Sequence, residues 1–325
     1  MTSAKDLGNE LRAWLDARAI KYKGQNEPKK PDHYTPFHWP VHPISHDYAI
    51  PKGAWNQIVS WEFHGKVFEV LVAETHQGFF GRCEGMRAEA MGASLQGMLK
   101  ELKKTCEPLY QRRMEVARRL DLPEPYQGSL NDLDLLSLFK LFFANDRALA
   151  HDAANRLETG LPHAMMPHAM LEILRETQHQ NRRVAQWLVL DMLEHHESYV
   201  TSEVTDADFA SALRDLMWDA QDDYARTIFK AGVVLGGHMC TPASANTILE
   251  LFSAPSAIAR RSAMHASFHL REWMPEQEQS VLEKLALIAE SDPEPLLTVY
   301  ANGLRADILS GDTDHVLEPT FPFEP

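Results

Sequence analysis

The sequence predicts an α-solenoid of helical hairpins preceded by a small α+β module with an antiparallel β-sheet. Three observations carry that reading. Strand-type alternation is confined to the residues before 130. From Asp132 onward, apolar runs of helical length alternate with short Asp, Asn, Gly or Pro breaks. Five of those runs can also be set in register as copies of one unit. At 325 residues the chain has room for about two domains, and its 44% hydrophobic content supports a core without covalent staples.

The elements follow in order. Residues 1–23 read as an amphipathic helix whose stripe is Leu7, Leu11, Trp14, Leu15 and Ala19. Residues 24–54 cannot continue it. Pro28, Pro31, Pro36, Pro40, Pro43 and Pro51 remove donors and push their predecessors out of helical geometry. This is a Pro/His-rich extended strap, expected together with the first helix to wrap the module that follows. The module spans 55–125. NQIVSWEF (56–63), the turn His64-Gly65 and VFEVLVAE (67–74) make a hairpin, with Phe68, Val70 and Val72 on one face and Val67, Glu69, Leu71 and Ala73 on the other. THQG (75–78) turns into FFGRCEG (79–85). Residues 94–106 then form a helix capped by Ser94, with Leu95, Met98, Leu99 and Leu102 buried.

The order GKVFEVLVAE, GFFGRCEGMRAEAMG, ASLQGMLKELKK resembles the HicB-like antitoxin domain over about 45 residues. Gly78, Phe80, Cys83, Gly92, Ser94 and Leu95 match that family's pattern, while Glu84 stands where it often has Pro and Ser94 replaces Thr. The resemblance implies a small α+β module. It does not by itself imply antitoxin activity.

The repeat lies in 130–310, ahead of an extended tail at 311–325. Its second helices are NDRALAHDAANRL (145–157), QNRRVAQWLVLDML (180–193), DDYARTIFKAGVVL (222–235), SAIARRSAMHASFHL (256–270) and PEPLLTVYANGLRADIL (293–309). Ahead of each runs a more variable apolar helix, at 134–143, 166–174, 208–218, 245–252 and 278–289. Arg183, Arg226 and Arg261 fall at comparable places, 43 and 35 residues apart. Two helices in such a period resemble a HEAT-like, armadillo-type array. One hairpin cannot bury its apolar face alone, so neighbours stack, and small residues at the crossings let helices approach. Gly236-Gly237 is expected to end a helix in the left-handed position.

The chemistry is sparse. GxSxG, GxxxxGK[ST] and GxGxxG are missing from the sequence. Histidines number 16, and His38 and His42 stand in the strap. In an extended chain residues four apart lie about 13 Å from one another, too far to share a metal whose ligands sit at about 2 Å. His265 and His269 share a helix face, a legitimate two-ligand spacing, but no Glu makes them HExxH. These four are the weak metal candidates. No cofactor is indicated, and the chain reads as leaning away from an enzyme. Cys83, Cys106 and Cys240 are far apart and odd in number, which argues against a disulfide framework. The N-terminus lacks a signal-peptide pattern and no apolar run reaches membrane length, so a cytoplasmic protein is expected.

Charge is uneven. Residues 1–130 hold 18 Lys+Arg against 16 Asp+Glu, and residues 131–325 hold 14 against 30, a net of +2 and −16. Nucleic-acid binding by the array is thereby disfavoured. The basic run 100–120 is the weaker place where it could occur, or it could face the acidic half. The expected function is a non-catalytic protein-binding adaptor or scaffold using the concave array surface, with a basic protein partner favoured by the acidic half. The expected contacts are Arg182, Arg183, Arg226, Arg260, Arg261 and Trp187, although such arginines also brace neighbouring repeats through an Asp, here Asp222 or Asp223. Two alternatives stand beside it: an immunity- or antitoxin-type protein whose acidic array neutralises a basic toxin or nuclease, and a metal-dependent enzyme with His ligands on the repeat helices.

Overall fold

The computed structural model describes residues 3–22, 55–86, 88–122, 130–159, 161–218, 220 and 225–311. The strap, with His38 and His42, the tail beyond Gly311, and Asp222 and Asp223 lie outside them. Among the described residues the chain is mostly helical, with one four-stranded antiparallel sheet near its start. They form two compact units, one of residues 55–159 and the other of residues 3–22 with 161–311. No described helix is long and apolar enough to cross a membrane.

The first unit is a meander, β1 (Trp55–Phe63), β2 (Lys66–Thr75), β3 (Gly78–Cys83) and β4 (Ala88–Gly92), each strand beside the next. His64 and Gly65 take φ of 50° and 75° between the paired Phe63 and Lys66. That is a two-residue hairpin turn whose twist matches the strands. The alternation expected for β2 holds over Val67–Val70, with Phe68 and Val70 buried and Val67 and Glu69 exposed, and fades toward its end, where Leu71 is half-buried and Ala73 is buried beside Val72. Strand β4 was not expected. Its sequence, AEAMG, carries no β-branched residue and becomes a strand by pairing with β3.

Helix α2 (Leu95–Arg119) closes the buried face of the sheet with Met98, Leu102 and Cys106. Ser94 Oγ accepts the Gly97 N–H at 3.1 Å, the expected cap. The helix runs 13 residues past the expected end at 106 and passes through Pro108. A proline inside a helix costs about 3 kcal/mol. The apolar stripe continues beyond it with Leu109 and Tyr110 on the core and Val116 and Ala117 buried, which offsets that cost. Helices α3 (Leu135–Leu141) and α4 (Arg147–Glu158), expected as the first repeat, group with this unit. Asp134 and Asp146 cap them, and Asp146 also pairs with Arg112 of α2 at 2.9 Å.

The second unit holds α1 (Ala4–Tyr22), α5 (Pro167–Leu174), α6 (Arg182–Met192), α7 (Asp206–Trp218), α8 (Ala225–Val233), α9 (Pro242–Leu251), α10 (Ala257–Trp273), α11 (Glu278–Ser291) and α12 (Pro295–Ser310). Helices α5, α7, α9 and α11 pack each on the next, and so do α6, α8, α10 and α12. Within pairs, α5 meets α6, α7 meets α8, α9 meets α10, and α11 meets α12. Helix α1 packs on α5, where it was expected to wrap the sheet module. Its stripe does form, since Leu7, Leu11, Trp14 and Leu15 are buried, but nothing in that stripe says which apolar surface will cover it.

Gly236-Gly237 does not end a helix in the left-handed conformation. The chain continues past α8 as a π-helical turn, Val234–Met239, and Cys240 takes the left-handed position at φ 45°. The glycine serves a close approach instead. A Cβ on Gly236 would lie 2.6 Å from the Ala266 carbonyl oxygen, and one on Gly232 would lie 2.8 Å from Ser262. Small residues thus let α8 cross α10 almost backbone to backbone. Left-handed geometry costs a residue with a Cβ about 1–2 kcal/mol. Cys240→Gly is therefore expected to stabilise the protein by about 1 kcal/mol, read as a raised midpoint in urea.

Candidate functional site

The second helices of the pairs carry a run of half-buried aromatic, imidazole and charged side chains. On α6, Trp187 lies under the Lys230 ammonium of α8, 4.6 Å from ring centroid to Nζ. Lys230 also pairs with Asp191 and, at 3.0 Å, with Glu194. Its neighbour on α8, Phe229, meets His265 of α10 with ring centroids 4.7 Å apart. His265 meets His269 one turn on, at 5.2 Å and 73°. His269 Nδ1 stands 3.8 Å from the Glu272 carboxylate. The expected residues Trp187, His265 and His269 are therefore joined in one run by α8.

Residues Phe229 and Lys230 were missed. They sit with Arg226 and Val233 on the half-buried face of α8, at steps of three and four, while Ile228 and Ala231 point inward. An aromatic beside a lysine on the polar side of an amphipathic helix was the available signal.

The arginines of the expected basic rung have unlike settings: Arg183, Arg260 and Arg261 are buried, and Arg182 and Arg226 are half-buried. Arg260 is an internal brace. Its Nε and Nη2 donate to the two carboxylate oxygens of Asp292 at 2.7 and 2.8 Å, and Nη1 donates to the carbonyls of Ala254 and Pro255 at 2.8 and 2.9 Å. Arg183 is buried and donates to Gln186 Oε1 at 2.9 Å. Gln186 Nε2 in turn reaches the carbonyls of Ile173, Leu174 and Glu176, closing the α5–α6 corner. Arg261 is buried with its guanidinium carbon 4.7 Å from the Phe229 ring centroid. Arg182 is half-buried, its Nη1 3.4 Å from the His179 carbonyl, and Arg226 is half-buried on α8. Helix ends leave carbonyls without partners; Arg260 satisfies two of them directly, while Arg183 holds the Gln186 amide that satisfies three.

A helix-ligated metal finds two imidazoles here. Structural and catalytic zinc sites take three or four protein ligands, and among the described residues no group of three or more His, Cys, Asp or Glu is placed to hold an ion. Cys240 is a poor nucleophile: partial burial of its sulfur pushes the thiol up, and the Glu272 carboxylate adds to that. The run presents aromatic faces, imidazoles and carboxylates on three successive second helices. Comparison with family models, with curated proteins and with solved structures returns no match for this chain.

Proposed function

We propose that the helical unit is a HEAT-like solenoid acting as a non-catalytic adaptor for a protein partner, with the Trp187–Lys230–Phe229–His265–His269 face as its contact surface. The observation that carries the reading is this run of half-buried aromatic and imidazole groups on three successive second helices. Such a surface can be covered by a partner at little conformational cost, because the rings are already held by their neighbours. Two rows of helices, α5-α7-α9-α11 and α6-α8-α10-α12, each packing on the next, support the solenoid. On this reading α1 takes the place of a terminal cap over α5. Asp191, Glu194 and Glu272 along the face, with the net charge of −16 over residues 131–325, favour a partner that presents a basic segment. We read the meander closed by α2 as the HicB-like scaffold module.

The test is affinity capture from native-host extract with the wild type and a Trp187→Ala/His265→Ala variant of matched melting temperature. The partner enriched by the wild type is expected to bind the variant at least about tenfold more weakly. Identical capture by both proteins overturns the assignment of the face.

A further inference from the structure

In the sheet-bearing unit, β3 and α2 each bring one cysteine to their shared interface. Cys83 ends β3 on the face that α2 covers, and Cys106 follows Met98 and Leu102 at steps of four on the buried stripe of α2. Both are 0% exposed and lie in one core cluster with Val70, Val72 and Met86. The Cys83 thiol and burial together push the Cys106 thiol up. Close approach is built into the strand. Gly81, two residues before Cys83 and so on the same face, has no Cβ, and one placed there would lie 2.1 Å from Met98 Sδ. With α2 seated this tightly, residues one and two turns beyond Met98 reach the end of the strand.

We infer that Cys83 and Cys106 are a dithiol pair that oxidises to an intramolecular disulfide joining β3 to α2. This lies in a different unit from the proposed contact surface and does not rest on it. Spacing in the sequence conceals the pair, since 22 residues separate the two cysteines. The bond needs sulfurs at about 2.05 Å, so side-chain rotation must close the remaining gap between two residues of one core cluster.

The oxidant is a peroxide. The Cys106 thiolate attacks one peroxide oxygen, the O–O bond breaks, and the departing hydroxide takes a proton to become water. Cys83 sulfur then attacks the resulting sulfenic acid. The S–S bond forms, the S–O bond breaks, and the Cys83 proton leaves with the hydroxide as a second water. Two thiols are oxidised and one peroxide is reduced. Arg113, whose Nη1 donates to the Gly85 carbonyl at 2.7 Å, places its positive charge where it favours the Cys106 thiolate. The neighbouring Cys83 thiol and burial outweigh that charge and hold the Cys106 thiol protonated in the closed core. Oxidation is therefore gated by opening of the β3–α2 interface and is faster in mild urea.

The experiment uses the full chain carrying Cys240→Ser, so that the exposed third thiol cannot join two chains. Hydrogen peroxide is titrated with and without mild urea, and the products are read by intact mass, peptide mapping and thermal unfolding. The expected product has lost two hydrogens, contains one peptide joining Cys83 to Cys106, unfolds at a higher temperature, and reverts with dithiothreitol. Two outcomes overturn the inference: oxygen addition at either cysteine with no joined peptide, or both thiols unchanged when urea has opened the core.

Discussion

Replacing Arg260 with alanine will destabilise the helical unit by about 3–5 kcal/mol, the range for breaking a buried ion pair by removing one partner. Asp292 is the reason. Its side chain is 1% exposed and that of Arg260 is 9% exposed, so the orphaned carboxylate has little water to turn to. The same guanidinium also satisfies the carbonyls of Ala254 and Pro255 at the α9–α10 corner, which lose their donor at the same moment. For a unit of this size the melting temperature should fall by roughly 10 °C. Arg260→Lys should recover only part of the loss, because an ammonium cannot reproduce the two-pronged geometry. Arg214, paired with Glu250 at 2.6 Å on the surface, is the contrast: its alanine variant should cost about 0–1 kcal/mol. A double-mutant cycle with Asp292→Ala measures the coupling. If Arg260→Ala melts with the wild type and instead weakens partner capture, the arginine faces a ligand and the brace is wrong.

Local signals were legible and long-range partners were not. Ten apolar segments read as helices from residue 134 onward coincide with α3 to α12, because periodicity, the Asp134, Asp146 and Ser256 caps and the prolines at helix starts all act within a few residues. Pairing depends on neighbours that sequence order hides. Arg12 finds Glu176 across 164 positions, and Arg260 finds Asp292 across 32. Gly236-Gly237 looked like a helix end because glycine has two uses, and only the presence of Ala266 opposite Gly236 decides between them. Within the candidate site, the spacing of His265 and His269 was visible in advance. Their continuation through Phe229 to Lys230 and Trp187 required α8 to lie between α6 and α10. The setting of Arg260 was hidden for the same reason: a charged side chain looks exposed until a carbonyl or carboxylate is placed under it.

Glu176 gives the second large effect, and it separates the tethering of α1 from the integrity of the remaining helices. The carboxylate is 2% exposed and works on two sides. Its Oε2 accepts from Arg12 Nη2 of α1 at 2.6 Å, and its Oε1 accepts the N–H groups of Gln178 and His179 at 2.6 and 2.8 Å. Above it, Trp14 stacks on His179 and Arg18 lies 3.9 Å from the Trp14 ring centroid. Further along the same contact, Gly8 meets His168 so closely that a Cβ would lie 2.7 Å from the His168 Cβ. Glu176→Ala strands the two N–H donors and releases Arg12, a loss on the order of 3 kcal/mol. Glu176→Gln keeps an acceptor for the two N–H groups and loses the charge opposite Arg12; because Arg12 is partly solvated, that costs about 1 kcal/mol. Hydrogen exchange resolves where the loss falls. In the alanine variant the amides of Ala4–Tyr22 should exchange faster while those of α9 to α12 keep their protection, since local opening releases only the elements whose contacts were cut. If α1 keeps wild-type protection while the melting temperature drops, Glu176 holds the α5–α6 corner alone, and the docking of α1 rests on Leu7, Leu11, Trp14 and Leu15 without it.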